Sequence, residues 1–116
     1  MFLLTETFWV SIYVSMNRND KSYLKQLAQL IKHLKSEDEV CAFLTEVMTP
    51  SELSALSKRW RILTMLSEGK TQRDIAEELN VSLCKVTRGA KILKNPNTIL
   101  SKVLIKEENH EYRFRK

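Results

Sequence analysis

The residues of this chain best suited to specific chemistry lie in one run, residues 72–91, QRDIAEELNVSLCKVTRGAK. With Gln72 as position one, Ile75, Ala76, Leu79, Val81 and Val86 fall at positions four, five, eight, ten and fifteen. Two short helices that cross at a sharp angle must bury side chains at these places. Ala76 is small where the second helix passes close above the first. Asn80 falls in the turn, where a left-handed backbone is needed and Asn is the best substitute for Gly. The spacing therefore predicts a helix-turn-helix over 72–93. The plainer alternative is an αα-hairpin in a helical bundle. Charge favours the first reading. From Leu79 to Lys106 there is no Asp or Glu, while Lys85, Arg88, Lys91, Lys94, Lys102 and Lys106 all fall there. A second helix with a purely basic outer face suits phosphate, and double-stranded DNA is the partner it implies.

Other chemistries find little footing. No Ser/His/Asp or Cys/His set is apparent, nor a phosphate loop, so an enzyme is not expected. Cys41, Cys84, His33 and His110 offer no zinc spacing, and no metal is expected. Two cysteines do not make a disulfide scaffold, and a reducing, cytoplasmic compartment is the simplest reading. The first fifteen residues are apolar apart from Glu6 and a few hydroxyls. They have no basic leader segment, no small-residue cleavage site and too little length to cross a bilayer, so no membrane partner is expected. Two expectations stand for residues 1–21: an N-terminal arm, or a start of translation at Met16.

The elements that must position this run are helices. The chain has 116 residues, a net charge of +5 and 43% hydrophobic residues, with only 2 Gly and 2 Pro. So few turn residues argue against a sandwich or a barrel and for long helices with short joints. Tyr23, Leu24, Leu27, Leu30, Ile31 and Leu34 make one apolar stripe over 22–35. Ser36 caps a short second helix with acids in its first turn, ending before Thr49-Pro50. Pro50 opens a third helix whose stripe is Leu53, Leu56, Trp60 and Leu63, widened by Ile62 and Leu66, and which Gly69 ends. Thr71 and Ser82 cap the next two, and 95–97 separates them from a last helix at Ile99, Leu100, Val103 and Leu104. The count is six helices and no strand: an all-α domain over 22–106, followed by a charged tail at 107–116.

From about Met48 to Lys94 the chain resembles the Trp repressor family. The matching pieces are MTP at 48–50, ALSKRWRIL at 55–63, EGKTQRDIAEEL at 68–79 and VTRGAKILK at 86–94. The resemblance implies a six-helix fold, an intertwined homodimer and paired recognition helices in successive major grooves of operator DNA. A dimer also suits a small chain with an apolar stripe on every helix. L-tryptophan as corepressor is implied as well. The two arginines that sandwich its indole in the family match Arg59 and Arg88, and Thr49 and Gly89 match the residues that complete the pocket. For Arg59 the plainer reading is a solvent-facing arginine; for Gly89 it is a close helix–helix contact. The DNA contacts implied are Gln72, Arg73, Leu83, Cys84, Lys85, Thr87 and Lys94. Arg73 can reach a guanine edge, whereas Gln72, Lys85 and Lys94 suit phosphates. For Thr87, water-mediated or methyl contacts are implied. For Cys84 the duller reading is a small space-filler.

The chain departs from the family at several points. Ile92 stands where many members have a serine that holds the ligand's ammonium group. Lys85 replaces a pocket-side threonine, Glu46 stands where a leucine lends its carbonyl, and the joint 68–71 is one residue short. Two alternatives therefore stay open: a ligand-independent regulator of the same fold, and a helical protein-interaction module whose basic face meets an acidic partner.

Overall fold

The computed structural model describes residues 12–105, and all the regular structure among them is helical. Six helices follow in order: α1 Arg18–His33, α2 Glu37–Val47, α3 Pro50–Ser67, α4 Gln72–Leu79, α5 Leu83–Lys94 and α6 Ile99–Leu104. Residues 12–14 are helical as well, so one helical segment more than the six expected is present. Of the proposed arm at 1–21, residues 1–11 lie outside the described residues, as do Lys106 and the tail at 107–116, and residues 18–21 already belong to α1.

Each helix starts where a side chain satisfies an orphan backbone donor. Ser36, Thr71, Ser82 and Thr98 each accept from the backbone N–H three residues on. Thr49 and Glu52 form a full reciprocal box: the Thr49 hydroxyl accepts from the Glu52 amide at 3.1 Å, and the Glu52 carboxylate accepts from the Thr49 amide at 2.9 Å. Helix α1 begins at Arg18, four residues before the stripe that predicted it, because Asn17 accepts from the Asp20 amide at 2.8 Å. The sequence reading tracked apolar spacing and passed over this polar cap. Lys21 also stands over the Tyr13 ring at 5.2 Å, tying the preceding segment to α1.

The core lies beneath α3, α4 and α5. Ile62, Met65, Ile75 and Val86 form it, with Leu66, Ala76, Leu79 and Val81 packed against them. Every apolar position expected of the crossing pair is used. Asn80 takes the left-handed conformation at φ 56°, ψ 51°, which turns the chain sharply enough for α5 to cross α4. Met65 is fully buried, although the expected α3 stripe omitted it. The cause is that α3 buries two sides. Its C-terminal half, with Ile62, Leu63 and Met65, sits under α4 and α5. Its N-terminal half, with Leu53, Leu56 and Trp60, stays partly open.

Helices α1 and α2 have no buried residue in this chain. Tyr23, Leu24, Leu27, Leu30 and Ile31 are all exposed, and α1 shares no extensive contact with another helix. Helix α6 is instead pinned to the end of α5 by two buried hydroxyls. Thr98 donates to the Ile92 carbonyl at 3.1 Å and Ser101 to the Leu93 carbonyl at 2.9 Å. The Leu93 carbonyl at the end of α5 thereby gains a partner, and the Ile92 carbonyl, which already accepts from the Asn95 amide at 3.3 Å, gains a second.

Ile75 and Val86 hold α4 against α5, with both side chains fully buried. Ile75→Ala is expected to cost about 2–5 kcal/mol and Val86→Ala somewhat less, whereas Asn80→Gly should fall within about 0.5 kcal/mol of wild type. Urea unfolding of the three variants measures this, and an Ile75→Ala loss below the Asn80→Gly change would contradict the assigned core.

Candidate nucleic-acid interface and ligand cleft

Helix α5 divides its residues among three sides. Successive residues are about 100° apart around an α-helix. Val86, Gly89, Ala90 and Leu93 share one arc and face the core, Val86 and Gly89 being fully buried. Lys85, Arg88 and Ile92 share a second arc, which lines a cleft. Leu83, Cys84, Thr87, Lys91 and Lys94 occupy the third, and all five are exposed. A twelve-residue helix thus joins the core, a cavity wall and an open surface, with no residue lent twice except Gly89, which borders both core and cleft.

The cleft has a volume of about 540 Å³ and lies between α3 and α5, with Leu100 of α6 at one side. That falls within the ordinary range for small-molecule sites. Arg59, Trp60, Leu56, Ile62 and Leu63 form the α3 wall; Lys85, Arg88, Gly89 and Ile92 form the α5 wall. The structure thus brings together three of the four expected pocket residues: Arg59, Arg88 and Gly89. Thr49 is not among the lining residues; it caps α3, and Leu56, the nearest α3 residue of the cleft, is seven residues on, about 10 Å along the axis. Trp60, Leu56, Ile62, Leu63 and Leu100 had been read only as stripe residues. Periodicity assigned them to a buried face but held no signal that the face is split by a cavity. Leu100 is held at the cleft on a helix that the Thr98 and Ser101 hydroxyls fasten to α5, and neither residue stands out in the sequence.

Gly89 serves mainly the tight approach of α5 to α3. A Cβ there would meet Ile62 Cγ2 at 3.2 Å, Leu66 Cδ1 at 3.3 Å and Leu63 Cδ2 at 3.5 Å. A side chain at 89 strikes α3 first, so the close-contact reading of this glycine describes its Cβ direction.

The expected DNA-contact residues lie on two connected surfaces. Arg73 is exposed in the first turn of α4, and Gln72 beside it is half-buried. Leu83, Cys84, Thr87 and Lys94 share the open side of α5; Lys85 lies around the helix from them, on the cleft side. Thr87 donates to Gln72 Oε1 at 2.9 Å, joining the two surfaces. Cys84 is an exposed free thiol, so it fills no internal space. Among the described residues, Lys85, Arg88, Lys91 and Lys94 form no ion pair; the pair that does occur, at 3.9 Å, is exposed and joins Lys70, in the joint before α4, to Glu78 of α4. The positive field of α5 is therefore not neutralised by ion pairs among the described residues. Among the described residues no group of three or more His, Cys, Asp or Glu could hold a metal ion, and no helix is long and apolar enough to cross a membrane.

The family profile described as Trp repressor protein matches residues 22–108. A Trp operon repressor homolog from Vibrio vulnificus strain YJ016 is 37% identical over 71 residues, covering 60% of this chain and 70% of the relative. One from Vibrio atlanticus strain LGP32 is 32% identical over 88 residues, covering 72% and 90%. One from Xylella fastidiosa strain M23 is 34% identical over 74 residues, covering 63% and 80%. No solved structure matches the chain.

The contacts at Gly89 predict how the cleft responds to substitution. Gly89→Ala gains about 0.5–1 kcal/mol of helix propensity and loses a similar amount to crowding, so its net effect should be small. Gly89→Leu must lift α5 from α3 and is expected to cost about 1–3 kcal/mol. Thermal unfolding of the pair checks this; equal midpoints would show that the helices separate freely.

Proposed function

This chain belongs to the Trp repressor family, and from that premise we propose that it is a sequence-specific DNA-binding repressor of transcription, working as a homodimer with L-tryptophan as corepressor. The observation that carries the DNA-binding part is the three-sided α5. Its open side is basic, without acids and without internal ion pairs, and it abuts the exposed Arg73 of α4. In this reading α4 and α5 are a helix-turn-helix. Arg73 offers two donors to a guanine edge, Lys94 and Lys85 sit near phosphates, and Leu83, Cys84 and Thr87 face the groove.

The dimer is supported by what one chain leaves uncovered. An apolar stripe from Tyr23 to Ile31 is exposed along α1, and α2 buries nothing. A second copy laid on these faces would bury them, and would double the phosphate contacts on a two-fold symmetric operator. Thr49 fits the same reading. Standing about two turns beyond the cleft of its own chain, it completes a pocket only if the two copies lend residues to each other.

Ligand control is supported by Arg59 and Arg88 on opposite walls of one cleft. Guanidinium planes stack on an indole face and bind a carboxylate. A ligand held between α3 and α5 acts on DNA only if it prefers one setting of α4–α5 over another. A second reading, a regulator of the same fold that needs no ligand, has an observation in its favour: Ile92 lines the cleft where a serine would assist an ammonium group.

The experiment is selection of a binding site from a random duplex pool, followed by titration of that site with and without millimolar L-tryptophan. Corepression predicts tightening of about 5–150-fold, with the gain lost in Arg88→Ala. Equal affinity in both conditions supports the ligand-independent reading. Failure to select any sequence, with binding to acidic protein instead, would support an interaction module.

Substitutions on the two helices separate reading from positioning. Arg73→Ala should cost about 1–3 kcal/mol on the selected site and relax preference at one base pair, whereas Lys94→Ala should weaken all sequences alike and lower the salt dependence. Indistinguishable behaviour across a panel of sites would overturn these roles.

A further inference from the structure

Gln72 and Thr87 are joined by a hydrogen bond between side chains fifteen residues apart, one on α4 and one on α5. The Thr87 hydroxyl donates to Gln72 Oε1 at 2.9 Å. Gln72 is half-buried at the first residue of α4; Thr87 is exposed on the open side of α5. Both had been read as separate contacts to DNA. We infer that they are a single unit, in which Thr87 is a positioning residue that acts on DNA through the carboxamide of Gln72. The inference rests on the DNA-binding reading above.

The argument is one of protons. A threonine hydroxyl has one proton, and here it is committed to Oε1. Toward a phosphate, which only accepts, Thr87 then has nothing to offer. Gln72 gains what Thr87 gives up. A glutamine carboxamide has two faces of nearly equal shape, with a carbonyl oxygen that accepts and an NH₂ that donates. Left alone it turns between them, and only one orientation directs donors outward. Holding Oε1 from the α5 side leaves both Nε2 hydrogens for a ligand. A donor fixed before binding loses less freedom on binding, which is how a neutral group contributes to affinity at a charged interface. The bond also spans the joint between α4 and α5, so the donor pair keeps its place relative to the α5 surface.

A neutral donor leaves a signature different from that of a lysine. It displaces no counterion, so its loss weakens binding without changing the slope of affinity against salt. Thr87→Val keeps the side-chain shape and removes the proton. Thr87→Ser keeps the proton. Gln72→Ala removes the carboxamide.

The test uses the full chain and two probes: a random-sequence duplex pool and the duplex that wild type enriches from it. Thr87→Val should weaken both by about fivefold, with unchanged salt slope and unfolding midpoint, and Thr87→Ser should restore most of the loss. On a Gln72→Ala background, Thr87→Val should cause no further loss. In the free protein, the Gln72 side-chain NH₂ resonances should lie away from the position of the solvent-exposed glutamines in wild type and move to it in Thr87→Val. Independent, multiplying losses would mean that Thr87 touches DNA itself, and would overturn the inference while leaving DNA binding intact. Unchanged affinity of Thr87→Val would overturn it equally. A wild type that binds neither duplex would bring down the DNA reading itself, and the inference with it.

Discussion

The seating of α5 on α3 is the contact on which the rest of this structure depends. At Gly89 the two helices come so near that a single added carbon would stand 3.2 Å from Ile62. With the axes this close, Val86 reaches the cluster of Ile62, Met65 and Ile75, and α4 is drawn in with it. The same approach determines the cleft, since Arg59 and Arg88 can face one another only across a narrow gap between these helices. It also determines the outer surface, because rotating α5 to seat Gly89 and Val86 inward turns Leu83, Thr87 and Lys94 outward. A core contact and a candidate binding surface are therefore two consequences of one helix orientation.

That coupling explains what could be read from the sequence. The α4–α5 unit was clear because each of its positions answers a strong local demand. Ile75 and Val86 must be apolar, Asn80 must tolerate positive φ, and Thr71 and Ser82 must accept a backbone proton. The same holds for Pro50 and Gly69 at the ends of α3. The joining of Arg59, Arg88 and Gly89 at one cleft was expected from a resemblance, not from spacing, since thirty residues of chain separate the two walls. What escaped has a physical cause in each case. Met65 was missed because α3 is buried on two sides, and a single stripe describes a helix packed on one. The early start of α1 was missed because a polar cap, not an apolar residue, marks it. Thr98 and Ser101 were missed because their hydroxyls work through tertiary contact with α5, and a hydroxyl in sequence carries no sign of its partner.

The two halves of the described chain differ in how far they satisfy themselves. Around α3–α5 the demands of burial are met within one chain. Along α1 and α2 they are not: the α1 stripe is as regular as any in the sequence, yet its residues stand in solvent. Apolar area of that order is unfavourable to leave exposed, at about 25 cal/mol per Å². Periodicity shows that a face should be buried and is silent about which chain buries it. The expectation of a homodimer came from the family resemblance, with this excess of apolar faces agreeing, and the uncovered limb is where such an excess would be expected to appear.

The cleft and the outer surface share α5, and this has a consequence for any ligand that enters. Three cations, Arg59, Lys85 and Arg88, line a cavity whose remaining side chains are apolar or aromatic. Three like charges in one concavity repel each other, although all three side chains are exposed and solvent screens much of that repulsion. An anionic group placed among them would relieve it. Because α5 cannot shift relative to α3 without moving its open side, a ligand that changed the spacing of the two walls would move that surface as well. The sign of the effect on DNA then depends on which spacing of α3 and α5 presents Arg73 and Lys94 to one duplex at once. Lys85 has a part in both terms, since it stands on the cleft side of α5 next to the arc that carries Cys84 and Thr87. A ligand that engaged Lys85 would therefore remove a charge from the field that attracts phosphate.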